Sequence, residues 1–284
     1  MASGKWRVAS GGWEGVGAKM GGMARKKRTQ RQQAARPSRT TLSLQNRVLV
    51  ALIVPVAAGV VVAWLTGLLT TGTAASSGNR APVFAAVGLA AWFVGLSFYG
   101  LPALGLKGGR PLFAGIAFAT LGWIAFLVCR AIFIPINPEV AGSTRAFIYT
   151  LLFEAFALQV WTFGLLFRAV ADWRGGLTAA VVGGIVFGAV GFLLFQNVYT
   201  ASFITLIYYT TWGIFYGIIR LRTGSLLGTV IIQALQIFTT WVALGDVPPE
   251  TAVTQLQWVY GLAAAATAVF IWRLWPKTES DYRV

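Results

Sequence analysis

The sequence predicts an all-α polytopic membrane protein, a bundle of about eight transmembrane helices. Of its 284 residues, 57% are hydrophobic and only 11% are charged, whereas soluble domains carry about 25% charged residues. The mean hydropathy is +0.70, so polar side chains cannot cover a soluble core. These values exclude a soluble enzyme, a secreted disulfide-rich domain and a disordered protein.

Eight apolar segments have the length of about 20 residues that a helix needs to cross a bilayer. They cover residues 48–71, 82–101, 112–136, 146–170, 177–196, 201–220, 224–244 and 253–275, and glycine and proline separate them. We therefore divide the chain into an N-terminal tail (1–45), a transmembrane domain (46–276) and a short C-terminal segment (277–284).

The N-terminal tail carries a large share of the positive charge. Eleven of the 23 basic residues lie within residues 1–47, where Glu14 is the only acid. Few large apolar residues accompany them, so we expect a mostly disordered segment. A basic tail beside a bilayer attracts anionic lipid, at about 1 kcal/mol for each Lys or Arg near the surface. Docking of the tail onto an acidic protein is the alternative, and nucleic acid is not expected as a partner.

Basic residues in the loops orient the predicted bundle. The loops on the side of the tail contain Lys107, Arg110, Arg174, Arg220, Arg222, Arg273, Lys277 and Arg283, whereas the opposite loops contain only Arg80 and Arg145. Positive residues concentrate on the cytoplasmic side of membrane proteins. The sequence therefore predicts a multi-pass protein of the cell (inner) membrane with both termini in the cytoplasm.

Two charged residues lie within predicted spans. Arg130 is in the third span and Glu154 in the fourth, both in the outer half. Because an ionisable group in a bilayer costs about 2.5–3.5 kcal/mol on insertion scales, we expect the two to form a structural ion pair. A substrate or proton site is the alternative.

Amides and glycines also recur inside the spans. Buried amides usually join helices by hydrogen bonds, and ligand binding is their alternative role; the candidates are Gln159, Gln196, Gln233 and Gln236. Glycines recur along the fifth span, at Gly183, Gly184, Gly188 and Gly191. They suit close packing of two helices, and a flexible or ligand-binding helix would show them equally.

Residue counts exclude several kinds of site. The chain has one cysteine, Cys129, and no histidine. A disulfide within the chain and a multi-cysteine zinc site are therefore impossible. Histidine, which is the commonest general base and metal ligand and a common haem ligand, is therefore missing as well. We expect neither a metal site nor a cofactor.

Three short motifs lie between Phe163 and Phe238. They are Phe163-Gly164-Leu165-Leu166-Phe167-Arg168, Phe187-Gly188-Ala189-Val190-Gly191, and Arg222-Thr223-Gly224-Ser225-Leu226-Leu227 leading into Gln233. The set resembles the CPBP family, the CAAX-protease and bacteriocin-processing (Abi-type) membrane proteins. That family has two glutamates, three residues and an arginine in its first motif. Its second motif has a phenylalanine followed four residues later by histidine, and its last contains a histidine and an asparagine.

By this resemblance, the sequence retains the scaffold residues of the family and lacks the catalytic ones. The retained residues are Arg168, Phe187 and Gly224. Phe163 and Gly164 stand where the family has its two glutamates, Gly191 stands where it has the first histidine, and Gln233 and Ile237 stand where it has the second histidine and its polar companion. In the family these groups hold a metal or activate water for peptide hydrolysis. Phe, Gly and Ile offer a metal no lone pair, and Gln233 has no proton to exchange near neutral pH. The resemblance thus implies a pseudoenzyme without catalytic residues.

The loss of the catalytic residues within a retained fold indicates a non-catalytic function. We expect an accessory or structural subunit of a larger membrane complex, with other integral membrane proteins as partners. Some CPBP proteins of photosynthetic organisms attend chlorophyll metabolism, which extends this expectation to pigment-containing photosynthetic complexes. The alternative is a scaffold or binding protein for a hydrophobic small molecule such as a pigment, a lipid or a quinone-like compound. A transporter or a residual intramembrane protease is less expected.

Overall fold

The computed structural model describes residues 42–67, 77–134, 143–194, 202–239, 253–278 and 281–283. The chain divides into two units, Met1–Thr41 and Leu42–Val284, and the second unit contains every described residue. The predicted disordered tail lies outside the described residues except at its last positions. Gln196 lies outside the described residues, and so does the side chain of Arg80.

Helices form all the regular structure of the described ranges. They are α1 (Leu44–Leu65), α2 (Ser77–Phe98), α3 (Leu101–Leu104), α4 (Arg110–Phe133), α5 (Ser143–Tyr149), π1 (Thr150–Ala155), α6 (Phe156–Gln159), π2 (Val160–Leu166), α7 (Phe167–Arg174), α8 (Gly176–Leu194), α9 (Phe203–Thr223), α10 (Leu227–Phe238) and α11 (Val253–Leu274). The segments from α5 to α7 follow one another without a break and are called the fourth rod below. Each of the eight predicted spans contains helical residues.

Five helices in the described part of the chain are long and apolar enough to cross a membrane. They cover Leu44–Leu65, Ala81–Phe98, Arg110–Phe133, Phe147–Arg174 and Gly176–Leu193. These helices confirm the prediction of an all-helical, membrane-embedded protein. The twelve residues of α10 are apolar but shorter than a complete span.

Helix α9 lies among other helices. It packs against α8 and α11, and it also contacts α4 and α10. Tyr208, Trp212 and Tyr216 of α9 are all buried. Because its neighbours cover these side chains, α9 does not need the uniformly apolar surface of a lipid-facing helix. This explains why a helix of 21 residues is not among the five apolar ones.

Glycines allow α8 and α9 to touch backbone to backbone. A Cβ at Gly184 would lie 2.5 Å from the backbone nitrogen of Ile214, and one at Gly213 would collide with the carbonyl oxygen of Gly184. A Cβ at Gly188 would lie 2.5 Å from the Cα of Thr210. The glycines of the fifth predicted span therefore serve close helix packing, as small residues commonly do in membranes.

Loops at one end of the bundle are tied together by hydrogen bonds. The amide of Leu226 donates to the carbonyl of Gly105 at 2.9 Å, and Ser225 Oγ donates to the carbonyl of Lys107 at 2.6 Å. The amide of Arg283 donates to the carbonyl of Leu221 at 2.8 Å. We call this region the basic end and define it by residues 99–109, 220–226 and 281–283, together with Arg168 and Asp172.

Candidate functional site

The fourth rod changes its helical winding twice. Its two π-helical stretches, π1 and π2, lie on either side of the single α-helical turn that ends at Gln159. A π-helical stretch shifts the direction of every side chain that follows it, and such stretches are frequent at functional sites. All seven residues of π2 are buried. The rod therefore directs Gln159 and Phe163 into the bundle.

Three aromatic rings fill the interior beside π2. The ring centroid of Phe163 lies 5.6 Å from that of Phe187 and 6.4 Å from that of Tyr216. The rings of Phe187 and Tyr216 meet edge to face at 5.7 Å. We call Phe163, Phe187 and Tyr216 the aromatic triad. All three side chains are buried, and offset or edge-to-face contacts of this kind stabilise aromatic pairs by about 0.5–1.5 kcal/mol.

A hydrogen-bonded pair of amides joins the fourth rod to α10. Gln159 Nε2 donates to Gln233 Oε1 at 2.7 Å, and Thr229 Oγ1 donates to Gln159 Oε1 at 2.9 Å. All three side chains are buried. In the described part of the chain, Gln233 Nε2 has no hydrogen-bond partner. The pair thus leaves one buried donor unused.

A second amide links α10 to α9. Gln236 Nε2 donates to the hydroxyl oxygen of Tyr208, and the hydroxyl of Tyr216 donates to Gln236 Oε1 at 3.1 Å. The ring of Tyr208 lies 4.8 Å from that of Tyr260 on α11. Together with the Gln159–Gln233 pair, these bonds confirm that buried amides join the helices at three of the four predicted positions.

The positions given to catalytic groups by the resemblance hold packing residues. Phe163 belongs to the aromatic triad, and a Cβ at Gly164 would lie 3.4 Å from the carbonyl oxygen of Leu104. A Cβ at Gly191 would lie 3.3 Å from the ring of Tyr209. Gln233 is engaged with Gln159, and Ile237 is half-buried one turn further along α10.

The positions kept by the resemblance lie mainly at the basic end. Arg168 forms an ion pair of 2.8 Å with Asp172, one turn later on α7. Gly224 ends α9 with a φ of 74°, a left-handed conformation that suits glycine. A Cβ there would also lie 2.6 Å from the carbonyl oxygen of Arg283. Phe187 is the exception, because it lies within the bundle.

Arg130 and Glu154 are both buried, as the sequence requires of charges within spans. Arg130 interacts electrostatically with Tyr260, and Glu154 does so with Tyr209. Helix α10 packs against both α4, which carries Arg130, and π1, which carries Glu154. The direct ion pair between the two residues stays a prediction.

The aromatic triad and the Gln159–Gln233 pair can pack and form hydrogen bonds. Among the described residues, no three or more His, Cys, Asp and Glu side chains gather in a group that could hold a metal ion. Amides neither accept nor release protons near neutral pH. The sequence alone did not indicate that Gln159 and Thr229 would join Gln233. The only sign of this contact in the sequence was the presence of polar side chains, at helical spacing, within apolar segments.

Comparison with known proteins leaves the family of the chain open. No family model matches the chain, and neither does any curated protein. The likeness to the CPBP motifs therefore stays a prediction that rests on the residues themselves.

Proposed function

We propose that this chain is a non-catalytic, CPBP-like integral membrane protein that serves as an accessory or structural subunit of a larger membrane complex. The observation that carries the proposal is the content of the candidate site. Phe163 of the aromatic triad and Gln233 of the Gln159–Gln233 pair occupy positions that the resemblance gives to a glutamate and a histidine. Rings and amides preserve the packing of a bundle without supplying a base, a nucleophile or a metal ligand.

The proposal includes eight spans in the cell (inner) membrane, with both termini in the cytoplasm. The sequestered position of α9 supports counting this less apolar helix as a span. The basic end supports the orientation, because Lys107, Arg220, Arg222 and Arg283 lie there together. Such a concentration of positive charge favours the cytoplasmic face. Other integral membrane proteins, pigment-containing photosynthetic ones among them, and anionic lipids are the partners that we propose.

One observation favours binding of a hydrophobic small molecule as the second candidate. Gln233 Nε2 and Trp212 Nε1 are buried donors that have no hydrogen-bond partner in the described ranges. Leaving such a donor unpaired costs about 1–3 kcal/mol. A carbonyl group, such as that of a quinone-like or pigment molecule, would satisfy either donor. Mass measurement of the intact protein after gentle solubilisation would reveal such a molecule.

The subunit proposal predicts a protein partner that survives mild extraction. We expect tagged full-length protein, solubilised from its own membranes in a mild detergent, to co-purify with an integral membrane protein in constant ratio. Apolar contacts inside the bilayer are insensitive to salt, whereas exposed charges are screened beyond about 8–10 Å at physiological salt. Quantitative mass spectrometry at low and high salt measures both contributions.

Deletion of residues 2–40 is the matched control for the tail. The deletion should remove the salt-sensitive part of the binding and leave the salt-resistant part. Recovery of the protein without any partner in constant ratio, in several gentle detergents and at low salt, would overturn the subunit proposal. A stoichiometric small molecule in such a sample would favour the second candidate.

A further inference from the structure

The guanidinium group of Arg220 is buried at the basic end with one nitrogen unused. Its Nε donates to the carbonyl of Phe163 at 3.3 Å, and its Nη2 donates to the carbonyl of Ala103 at 3.1 Å. The side chain is only 1% exposed, and Nη1 has no hydrogen-bond partner among the described residues. A buried cation normally requires an opposite charge as well as hydrogen bonds.

Glycine makes room for this guanidinium group. Gly105 has a φ of 87°, a left-handed conformation that disfavours other residues, and a Cβ at this position would collide with the guanidinium of Arg220. On another side, the Arg220 guanidinium carbon lies 5.3 Å from the ring centroid of Phe167. The backbone and the ring therefore hold the charged group in one place.

Two basic side chains repel Arg220. Arg168 and Lys107 both interact with Arg220 electrostatically. Burial lowers the pKa of Lys107, and the charges of Arg220 and Arg168 lower it further. Asp172 is already bound by Arg168 Nη2, and Arg168 Nε is a second buried donor that lacks a partner in the described ranges. Arg220, Arg168 and Lys107 thus repel one another, and the Asp172 carboxylate is bound to Arg168.

We propose that Arg220, Arg168 and Lys107 form a binding site for a phosphate-type oxyanion. Arg220 Nη1, Arg168 Nε and the Lys107 ammonium group would donate to its oxygens, and its negative charge would relieve the repulsion among the three cations. Arginine is well suited to phosphate because its nitrogens form charge-assisted hydrogen bonds in a fixed plane. Lys107 and Arg168 are partly exposed, which gives the ligand access from the basic end. The oxyanion is the headgroup phosphate of an anionic lipid or free phosphate.

Two probes distinguish these sources. The first is phosphatidylglycerol, supplied to full-length protein in nanodiscs of otherwise neutral phosphatidylcholine, with the phosphatidylglycerol that is retained after extraction measured by mass spectrometry. The second is inorganic phosphate, added to the detergent-solubilised protein and measured by equilibrium dialysis. Binding of phosphatidylglycerol alone identifies a lipid headgroup site, binding of phosphate alone identifies a free-anion site, and binding of both supports the shared chemistry.

Lysine variants test whether the binding is specific to this site. We expect Lys107→Gln to weaken binding about tenfold, the effect of losing one charge-assisted hydrogen bond. Lys277→Gln is the matched control, because Lys277 is an exposed lysine near the end of α11, and it should weaken binding by less than about twofold. Arg220→Gln should abolish binding. An equal effect of the two lysine variants, or no binding of either probe to the wild-type protein, would overturn the proposal.

Discussion

Gly213→Ala should lower the free energy of unfolding by about 1–3 kcal/mol, the cost of overpacking a tight interface. A Cβ at this position would collide with the carbonyl oxygen of Gly184 and lie 2.9 Å from the Cα of Gly184. Backbone atoms cannot rotate away, so α8 and α9 would have to separate along their contact. A loss of stability would be informative, because helix propensity alone predicts the opposite: alanine stabilises an isolated helix relative to glycine by about 1 kcal/mol.

Gly261→Ala is the matched control for this prediction. Gly261 is also within a helix, α11, but its added Cβ would only reach Ile204 Cγ2 at 3.8 Å, an ordinary contact. We expect no loss of stability from this change. The tryptophan fluorescence of the detergent-solubilised protein on heating measures both variants. Equal unfolding temperatures for Gly213→Ala and Gly261→Ala would contradict the close contact of α8 with α9.

Phe163→Ala should destabilise the bundle by about 3–5 kcal/mol, as other truncations of buried aromatic side chains do. Phe163 is 0% exposed, and its ring contacts both other members of the aromatic triad. In a bilayer, where lipid tails are as apolar as the interior, much of this loss comes from van der Waals contacts that the cavity removes. The same thermal unfolding measurement tests the prediction.

Phe113→Ala removes the same ring from an exposed position and serves as the control. Phe113 on α4 is 69% exposed, so its loss leaves no internal cavity and should change the unfolding temperature little. If Phe163→Ala and Phe113→Ala were equally stable, the aromatic triad would not be a packed element of the interior.

Apolar segment length predicted the helices well because a span must be both apolar and of nearly fixed length. The predicted third span, 112–136, corresponds to α4, and the fifth, 177–196, corresponds to α8. Glycine spacing suited both the tight contact of α8 and a flexible or ligand-binding helix, and the structure shows the tight contact. These features depend on local sequence, and each can be recognised without knowing the fold.

Features that depend on distant contacts could not be predicted in this way. Nothing local in the sequence marks the change to π-helical winding before and after Gln159. The bond between Gln159 and Gln233 joins residues 74 positions apart, and it exists only because α10 packs against the fourth rod. Likewise, Arg220 was predicted as a loop residue on the tail side, yet it is buried at the end of α9. Its burial follows from α3 and π2, whose carbonyls surround it.

One assay of the purified protein tests most directly whether packing residues have replaced the catalytic groups. Zinc content and cleavage of membrane-protein and peptide substrates should be measured on the same sample, with and without a chelator. We expect no stoichiometric zinc and no cleavage. Glu154→Gln should give the same zinc content and the same lack of cleavage as the wild type, because one carboxylate without a metal or a second catalytic acid is a poor hydrolase. Chelator-sensitive cleavage by clean wild-type protein, or cleavage that Glu154→Gln abolishes, would contradict this replacement.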